Sequence, residues 1–178
     1  MITDVEVIDG AFDNNFLEYC EHYYLGRLNF RYGHVSNNQV DAAKFWYGAD
    51  FDGGWSIDDC PITDYIKTIA QKSFEIKIEN YEDLYVNGHT FECPGTTHVD
   101  QRIKEVDQQK FTLLFMPNYH DIETLGGFEF LHNTIDYKSG RLILFPANLS
   151  HRGLATTSKK QLRMTIAWKN CTITRSST

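Results

Sequence analysis

His98-Val99-Asp100, His151 and Arg163 are the residues whose types and spacing could build a reactive metal centre. An H-x-D pair puts an imidazole and a carboxylate on one face of an extended strand, because side chains alternate with period two. The two reach one ion if the strand is regular or if it turns just there. His151 can complete a face of three donors only if the intervening strands fold back over that pair. Two imidazoles and one carboxylate with open positions opposite form the facial set of a non-haem Fe(II) site. The same donors also bind zinc well, so the ligands alone leave the metal open. Arg163, expected on the next strand, offers a planar fork to a carboxylate. Arg163, Thr165 and Ala167 alternate with Met164, Ile166 and Trp168, so the arginine shares its face with small residues. A buried arginine needs a partner. A dicarboxylate co-substrate would provide one and turn the choice toward iron, whereas a protein carboxylate would make Arg163 structural. His22, His34, His89, His120 and His132 have no comparable set around them and read as structural or solvent-exposed.

Positioning these residues requires strands. The turn Cys93-Pro94-Gly95-Thr96-Thr97 would deliver His98 to the mouth of a sheet. His151 follows the apolar run Leu142-Ile143-Leu144-Phe145 and a turn opened by Pro146, so it too falls at a strand end. Strands are expected over 84–91, 111–116, 127–131, 141–145 and 162–168, punctuated by Gly126-Gly127, Ser139-Gly140 and Pro146. Ahead of them the pattern is helical. Asp13 is set to cap a helix from 14 to about 25, with Phe16, Leu17, Cys20, Tyr23 and Tyr24 inward and Gly26 as its stop. Pro61 suits the first turn of a second helix reaching about Phe74, with Ile62, Tyr65, Ile66, Ile69, Ala70 and Phe74 as the packing stripe. Short strands are expected over 3–8 and 28–35. The stretch 36–59 mixes turn formers (Asn37-Asn38, Gly48, Gly53-Gly54) with Phe45, Trp46, Tyr47, Phe51 and Trp55. It reads either as a substrate-contacting lid or as a loop whose aromatics plug the edge of the core. The tail 171–178 is polar and expected to fray. Two helices followed by a run of strands give a mostly β fold with flanking helices (α+β). The expected architecture is a double-stranded β-helix, a cupin-like jelly roll with both helices packed outside.

The 178 residues are expected to form one domain, 1–178, and 42% hydrophobic with 14% aromatic content argues against disorder. A net charge of -7 leaves no footprint for a nucleic-acid backbone. Cys20, Cys60, Cys93 and Cys171 are scattered without a C-x-x-C pair and read as reduced thiols. The N-terminus lacks the features of a secretion signal and no run approaches membrane-spanning length, which points to a soluble, cytoplasmic protein.

An ordered series runs through the second half of the chain: Tyr85-Val86-Asn87-Gly88-His89-Thr90-Phe91, then His98-Val99-Asp100, then the run from Phe111 to Asn118. Gly126-Gly127-Phe128-Glu129-Phe130, the run from Gly140 to Pro146, His151, and Arg163 to Trp168 complete it. Spanning about 84–169, the series resembles the catalytic core of the prolyl-4-hydroxylase-like Fe(II)/2-oxoglutarate dioxygenases, especially small stand-alone members from phages, bacteria and algae. The resemblance implies that His98, Asp100 and His151 bind Fe(II) and that Arg163 pairs with the distal carboxylate of 2-oxoglutarate. It places Tyr85 and Asn87 where the family has polar co-substrate contacts, and Thr112 on a strand lining the same pocket. It also implies a hydroxylase using O2, with ascorbate as reductant, releasing succinate and CO2. Its substrate would be a prolyl or other peptidyl or amino-acid side chain, or another small molecule, and a phage-encoded member would act in the host cytoplasm. Because Asp100 is present, no ligand position is vacant for halide, so hydroxylation is expected over halogenation. Met116 stands where some relatives carry a tyrosine that reaches the co-substrate, and Gly-Gly-Glu becomes Gly-Gly-Phe-Glu here. The competing readings are a catalytically silent binding module and a zinc-binding or structural cupin-like barrel.

Overall fold

Strand alternation in the C-terminal half builds this protein around one long strand. The computed structural model describes residues 5–36, 42–101, 109–120, 125–131 and 133–175. In chain order these form β1 (Glu6–Ile8), α1 (Asn14–Arg27), β2 (Arg31–His34), β3 (Phe45–Gly48), a 3-10 turn (Ile57–Asp59), α2 (Pro61–Phe74), β4 (Ile76–Asn80) and β5 (Asp83–His89). There follow β6 (Phe111–Phe115), β7 (Gly127–Phe130), β8 (Asn133–Asp136), β9 (Leu142–Pro146), β10 (His151–Gly153) and β11 (Arg163–Arg175). The larger sheet has the antiparallel order β1-β9-β6-β11-β5-β3-β2, with β4 on the far end of β11, and the smaller sheet has the order β10-β7-β8.

Period-two patterning divides the buried residues between two cores. Leu84, Val86, Leu113, Phe115, Met164, Ile166 and Trp168 point from the large sheet toward Leu17, Cys20 and Tyr24 of α1 and Ile66, Ala70 and Phe74 of α2. Their alternate neighbours Leu114, Ile143, Phe145 and Ala167 face the small sheet, where they meet Phe128 and Phe130. The layers are therefore helices, large sheet, small sheet, which is the expected jelly roll with both helices outside.

Helix α1 is capped by Asp13, whose side chain accepts from the Phe16 N–H at 2.9 Å. It runs through Gly26 rather than stopping there, because the reversal comes two residues later. The extended Leu28 returns its N–H to Tyr24 O and bridges to Phe51. Helix α2 has the expected bounds and ends where Glu75 adopts φ 55 and caps Gln71 and Lys72. Its packing stripe differs at one place: Tyr65 is exposed, and Thr63 is buried instead, sharing a 2.6 Å hydrogen bond with the Tyr24 hydroxyl.

Several short strands were not foreseen. The irregular-looking 36–59 contains β3, which joins the large sheet by pairing Tyr47 with Asn87 and Trp46 with Gly88. The expected strand over 28–35 contracts to β2, bulged at Gly33 where it pairs with β3. The tail does not fray at 171: β11 continues to Arg175 against β4, and Cys171 is buried. Residues 3–4, 37–38 and 176–178, named in the sequence expectations, lie outside the described residues, as does His132. All four cysteines are free thiols. Among the described residues no helix is long and apolar enough to cross a membrane.

Candidate metal centre

His98 does not sit on a regular strand. It forms an isolated antiparallel bridge with His151, each backbone N–H donating to the other's carbonyl at 2.9 Å, so it extends the edge of the small sheet beyond β10. The chain then bends. Asp100 and Gln101 both donate to Ala147 O, at 2.8 and 2.9 Å, and this bend, not strand alternation, turns the Asp100 carboxylate back onto the imidazoles.

The result is a compact donor set. His98 Nε2 lies 3.4 Å from Asp100 Oδ1, His151 Nε2 lies 3.6 Å from Asp100 Oδ2, and the three donor atoms fall within 4.8 Å of one another. The Nδ1 atoms contact the carbonyls of Thr96 at 2.8 Å and Leu149 at 2.9 Å. A carbonyl can only accept, so Nδ1 carries a proton and each ring turns its Nε2 toward the centre. Burial pushes the His151 pKa down to about 4 against the pull of Asp100, which keeps that ring neutral near pH 7. Burial opposes charge on Asp100 as well, yet Lys169 and the two imidazoles hold its carboxyl far below the usual range. Thr112 Oγ1 donates to Asp100 Oδ2 at 2.7 Å, and Lys169 Nζ lies 2.7 Å from Oδ1. His98 Nε2 is buried with no hydrogen-bond partner. A buried, unpartnered ring nitrogen beside a second imidazole and a carboxylate fits a divalent cation with N and O preference.

Arg163 is fully buried. Its Nη1 donates to Gly127 O at 2.5 Å and its guanidinium lies 4.9 Å from the Phe128 ring centroid, while Nε and Nη2 have no partner. Among the described residues no carboxylate pairs with it, so the protein-carboxylate alternative has no support, and burial pulls its pKa down to about 10. Gly153 makes room for the head group: a Cβ there would lie 2.5 Å from Arg163 Nη2 and 2.9 Å from His89 Nε2.

The inward face of β5 carries Tyr85, Asn87 and His89. Asn87 lines the cleft with His98, Asp100 and His151, and its Oδ1 is unpartnered. Tyr85 stands beside Lys169, whose Nζ is 5.1 Å from its ring. Met116 lies in the apolar layer between the sheets, and Glu129 turns outward to Arg152 at 3.0 Å.

Sequence reasoning gave Lys169 no role and set His89 aside as structural or solvent-exposed. Lys169 continues the alternation of Arg163, Thr165 and Ala167 by one step, and that step would have found it. His89 is 3% exposed and stacks on Phe45 at 4.9 Å, and both line the cleft. Tyr47 packs on Tyr85 at 5.3 Å and on His34 at 4.9 Å. The stretch 36–59 thus divides between the two readings: Phe45 and Tyr47 face the site, while Phe51 and Ile57 fill the core against the helices.

No family model and no curated relative matches this sequence. Its fold does match solved structures over nearly its whole length. A viral collagen prolyl hydroxylase from Paramecium bursaria Chlorella virus-1, solved with 2OG, superposes at a TM-score of 0.59 with 16% identity, covering 95% of this chain and 94% of the other. A Pseudomonas putida prolyl-4-hydroxylase gives 0.57 at 12% identity, covering 94% and 92%. A Trichoplax adhaerens prolyl hydroxylase, solved with a hypoxia inducible factor peptide fragment, gives 0.62 at 15% identity, covering 93% and 82%. The chain has the jelly-roll fold of prolyl hydroxylases and 2OG-Fe(II) oxygenases.

Proposed function

We propose that this protein is an Fe(II)- and 2-oxoglutarate-dependent oxygenase that hydroxylates a C–H bond of a prolyl or other peptidyl or amino-acid side chain. The observation that carries this reading is Arg163, a buried cation with two unpartnered donors and, among the described residues, no carboxylate partner. It packs against Gly153, which lines the same cleft as the His-Asp-His donor set. A divalent metal alone would not call for it; a metal with a dicarboxylate does.

His98, Asp100 and His151 would hold Fe(II), and Arg163 would take the distal carboxylate of 2-oxoglutarate with its free Nε and Nη2. Bound Fe(II) and 2-oxoglutarate supply the oxidising chemistry, in which O2 is consumed, succinate and CO2 are released and ascorbate serves as reductant. The chain's own share is position and environment. Hydrogen bonds to Thr96 O and Leu149 O fix both imidazoles, and Thr112 fixes Asp100. Asn87 offers a polar contact in the cleft, while Phe45, Phe128 and Leu114 keep its walls dry. His34, Tyr47 and Tyr85 pack on one another beside it and form an aromatic cluster suited to a pyrrolidine or similar apolar side chain. In this reading 1–178 works as one domain in the cytoplasm on a peptide or small molecule, with the segment around Phe45 as the substrate-side wall.

Anaerobic titration of the Fe(II)-loaded protein with 2-oxoglutarate tests it. The expected result is a weak visible metal-to-ligand charge-transfer band that is lost in Arg163→Met. Iron binding without a band would reject the co-substrate and leave a zinc or silent-module reading.

A further inference from the structure

Lys169 is a cation whose carboxylate partner among the described residues, Asp100, is also a proposed metal ligand. Its side chain is 12% exposed, its Nζ lies 2.7 Å from Asp100 Oδ1, and it lines the cleft with Asn87, His98 and His151. Asp100 is the only carboxylate within ion-pair reach of it among the described residues. In that pair each charge balances the other.

A dication on the His-Asp-His set changes the balance, because it draws on the same carboxylate. Metal, Asp100, Lys169 and Arg163 then sum to three positive charges, and a doubly charged 2-oxoglutarate removes two. One positive charge remains in a cleft walled by aromatic rings, and an uncompensated buried charge is strongly disfavoured. Among the described residues nothing supplies the missing anion, so it is assigned to the other ligand of the site.

The strand places it. Arg163 and Lys169 share one face of β11 with Thr165 and Ala167 between them, so their Cα atoms are about 20 Å apart at extended-strand rise. Lys169 is the one that touches Asp100. A diacid anchored at Arg163 and reaching toward Asp100 approaches from one end of this face, and Lys169 holds the other. Resting on the proposed 2-oxoglutarate reading of the site, we infer that the substrate carries a carboxylate bound by Lys169, with the Tyr85 ring beneath the ammonium. A free amino acid or a C-terminal residue would provide that carboxylate; an internal residue of a peptide would do so only if it were Asp or Glu.

The test uses the Fe(II)- and 2-oxoglutarate-loaded protein without oxygen and follows the shift of its charge-transfer band as ligands are added. The probes are the proteinogenic L-amino acids, their carboxamides, and X-Pro dipeptides with free or amidated C-termini. At least one free acid is expected to shift the band, with its carboxamide weaker by about tenfold or more. The dipeptide arm separates a free amino acid from a C-terminal residue. With metal and 2-oxoglutarate held at saturation, so that any loosening of Asp100 is offset, Lys169→Met should erase the acid-over-amide preference and Lys169→Arg should keep it. Equal binding of acid and amide, or no shift with any free carboxylate, overturns the inference while the 2-oxoglutarate reading stands. So does a Lys169→Met variant that loses 2-oxoglutarate as severely as Arg163→Met, since Lys169 would then belong to the co-substrate. If 2-oxoglutarate produces no band at all, both readings fall.

Discussion

Thr112 and Lys169 hold the two oxygens of Asp100 in place, one by a neutral hydrogen bond and one by charge. Groups that orient a metal ligand matter nearly as much as the ligand. Thr112→Val, which keeps the shape and removes the hydroxyl, is therefore expected to weaken divalent-metal binding by about tenfold to a hundredfold. Co(II) titration followed in the visible region would measure this, and unchanged affinity would mean that Lys169 alone holds the carboxylate. Gly153→Ala acts on the other half of the site. The new methyl would meet Arg163 Nη2, the far end of a long side chain, and the His89 ring. Phe45 and Cys93 O hold that ring, so the arginine is the group expected to give way. The expected outcome is a loss of 2-oxoglutarate affinity of about tenfold or more with Co(II) affinity retained; parallel loss of both would show that β10 itself had moved. Sequence spacing was enough to anticipate that His98, Asp100 and His151 converge and that Arg163 is buried, because their types are restrictive and lie at expected strand ends. It could not reveal that Asp100 turns inward through a bend at Ala147, since backbone hydrogen bonds to a distant carbonyl leave no mark on residue type.

The long elements were legible and the short ones were not. Helices α1 and α2 and strands β5, β6, β9 and β11 carry enough apolar residues at a regular period to be read directly. Strands β4, β8 and β10 run only three to five residues with mixed polarity, and they are strands because a neighbour offers them a ladder. Glu21, buried on α1, looks like a solvated residue in sequence. In the fold it accepts from Asn118 Nδ2 at 3.0 Å and from the backbone N–H of His120 at 3.1 Å, tying the helix to the chain after β6. A second tie lies at the β1–α1 junction, where Asp9 meets Arg141 at 2.8 Å and Lys138 at 2.9 Å. The Arg141 hydrogen bonds lead, against partial burial, in lowering the Asp9 pKa from 3.8 to about 2. A folded-state pKa below the unfolded one gives stability that is complete above pH ~4 and is lost as pH falls through about 2. Since the pair is partly exposed, its worth is about 1 kcal/mol. Urea unfolding should accordingly find Asp9→Asn less stable than the parent by that amount at pH 7, with the two converging at the acid end. A gap that persists below pH 2 would assign the effect to packing.

Across the whole molecule, the large sheet is apolar on both faces, against helices on one side and the small sheet on the other, and the polar exceptions cluster where the two sheets open. Arg163 is the largest of those exceptions, a fully buried charge with no carboxylate partner among the described residues. Nothing in the folding of the ligand-free chain calls for it there, since the sheet would close around an apolar side chain of similar length. Replacing a poorly compensated buried charge by a hydrophobic residue is often neutral or stabilising, by about 1–4 kcal/mol. Arg163→Met is thus expected to raise the unfolding temperature of the metal-free protein, by about 2–4 °C for each kcal/mol in a chain of this size. The ligand-bound state should behave in the opposite way. With Co(II) present, 2-oxoglutarate at a hundred times its Kd should stabilise the parent by about 2.7 kcal/mol, because it binds only the folded form, and should leave Arg163→Met unmoved. Thermal unfolding of both proteins, with and without the diacid, makes the comparison in one experiment. A variant that is less stable than the parent when ligand-free would show that Arg163 serves the fold through Gly127 and Phe128, whereas a more stable variant blind to 2-oxoglutarate would show stability given up for a binding site.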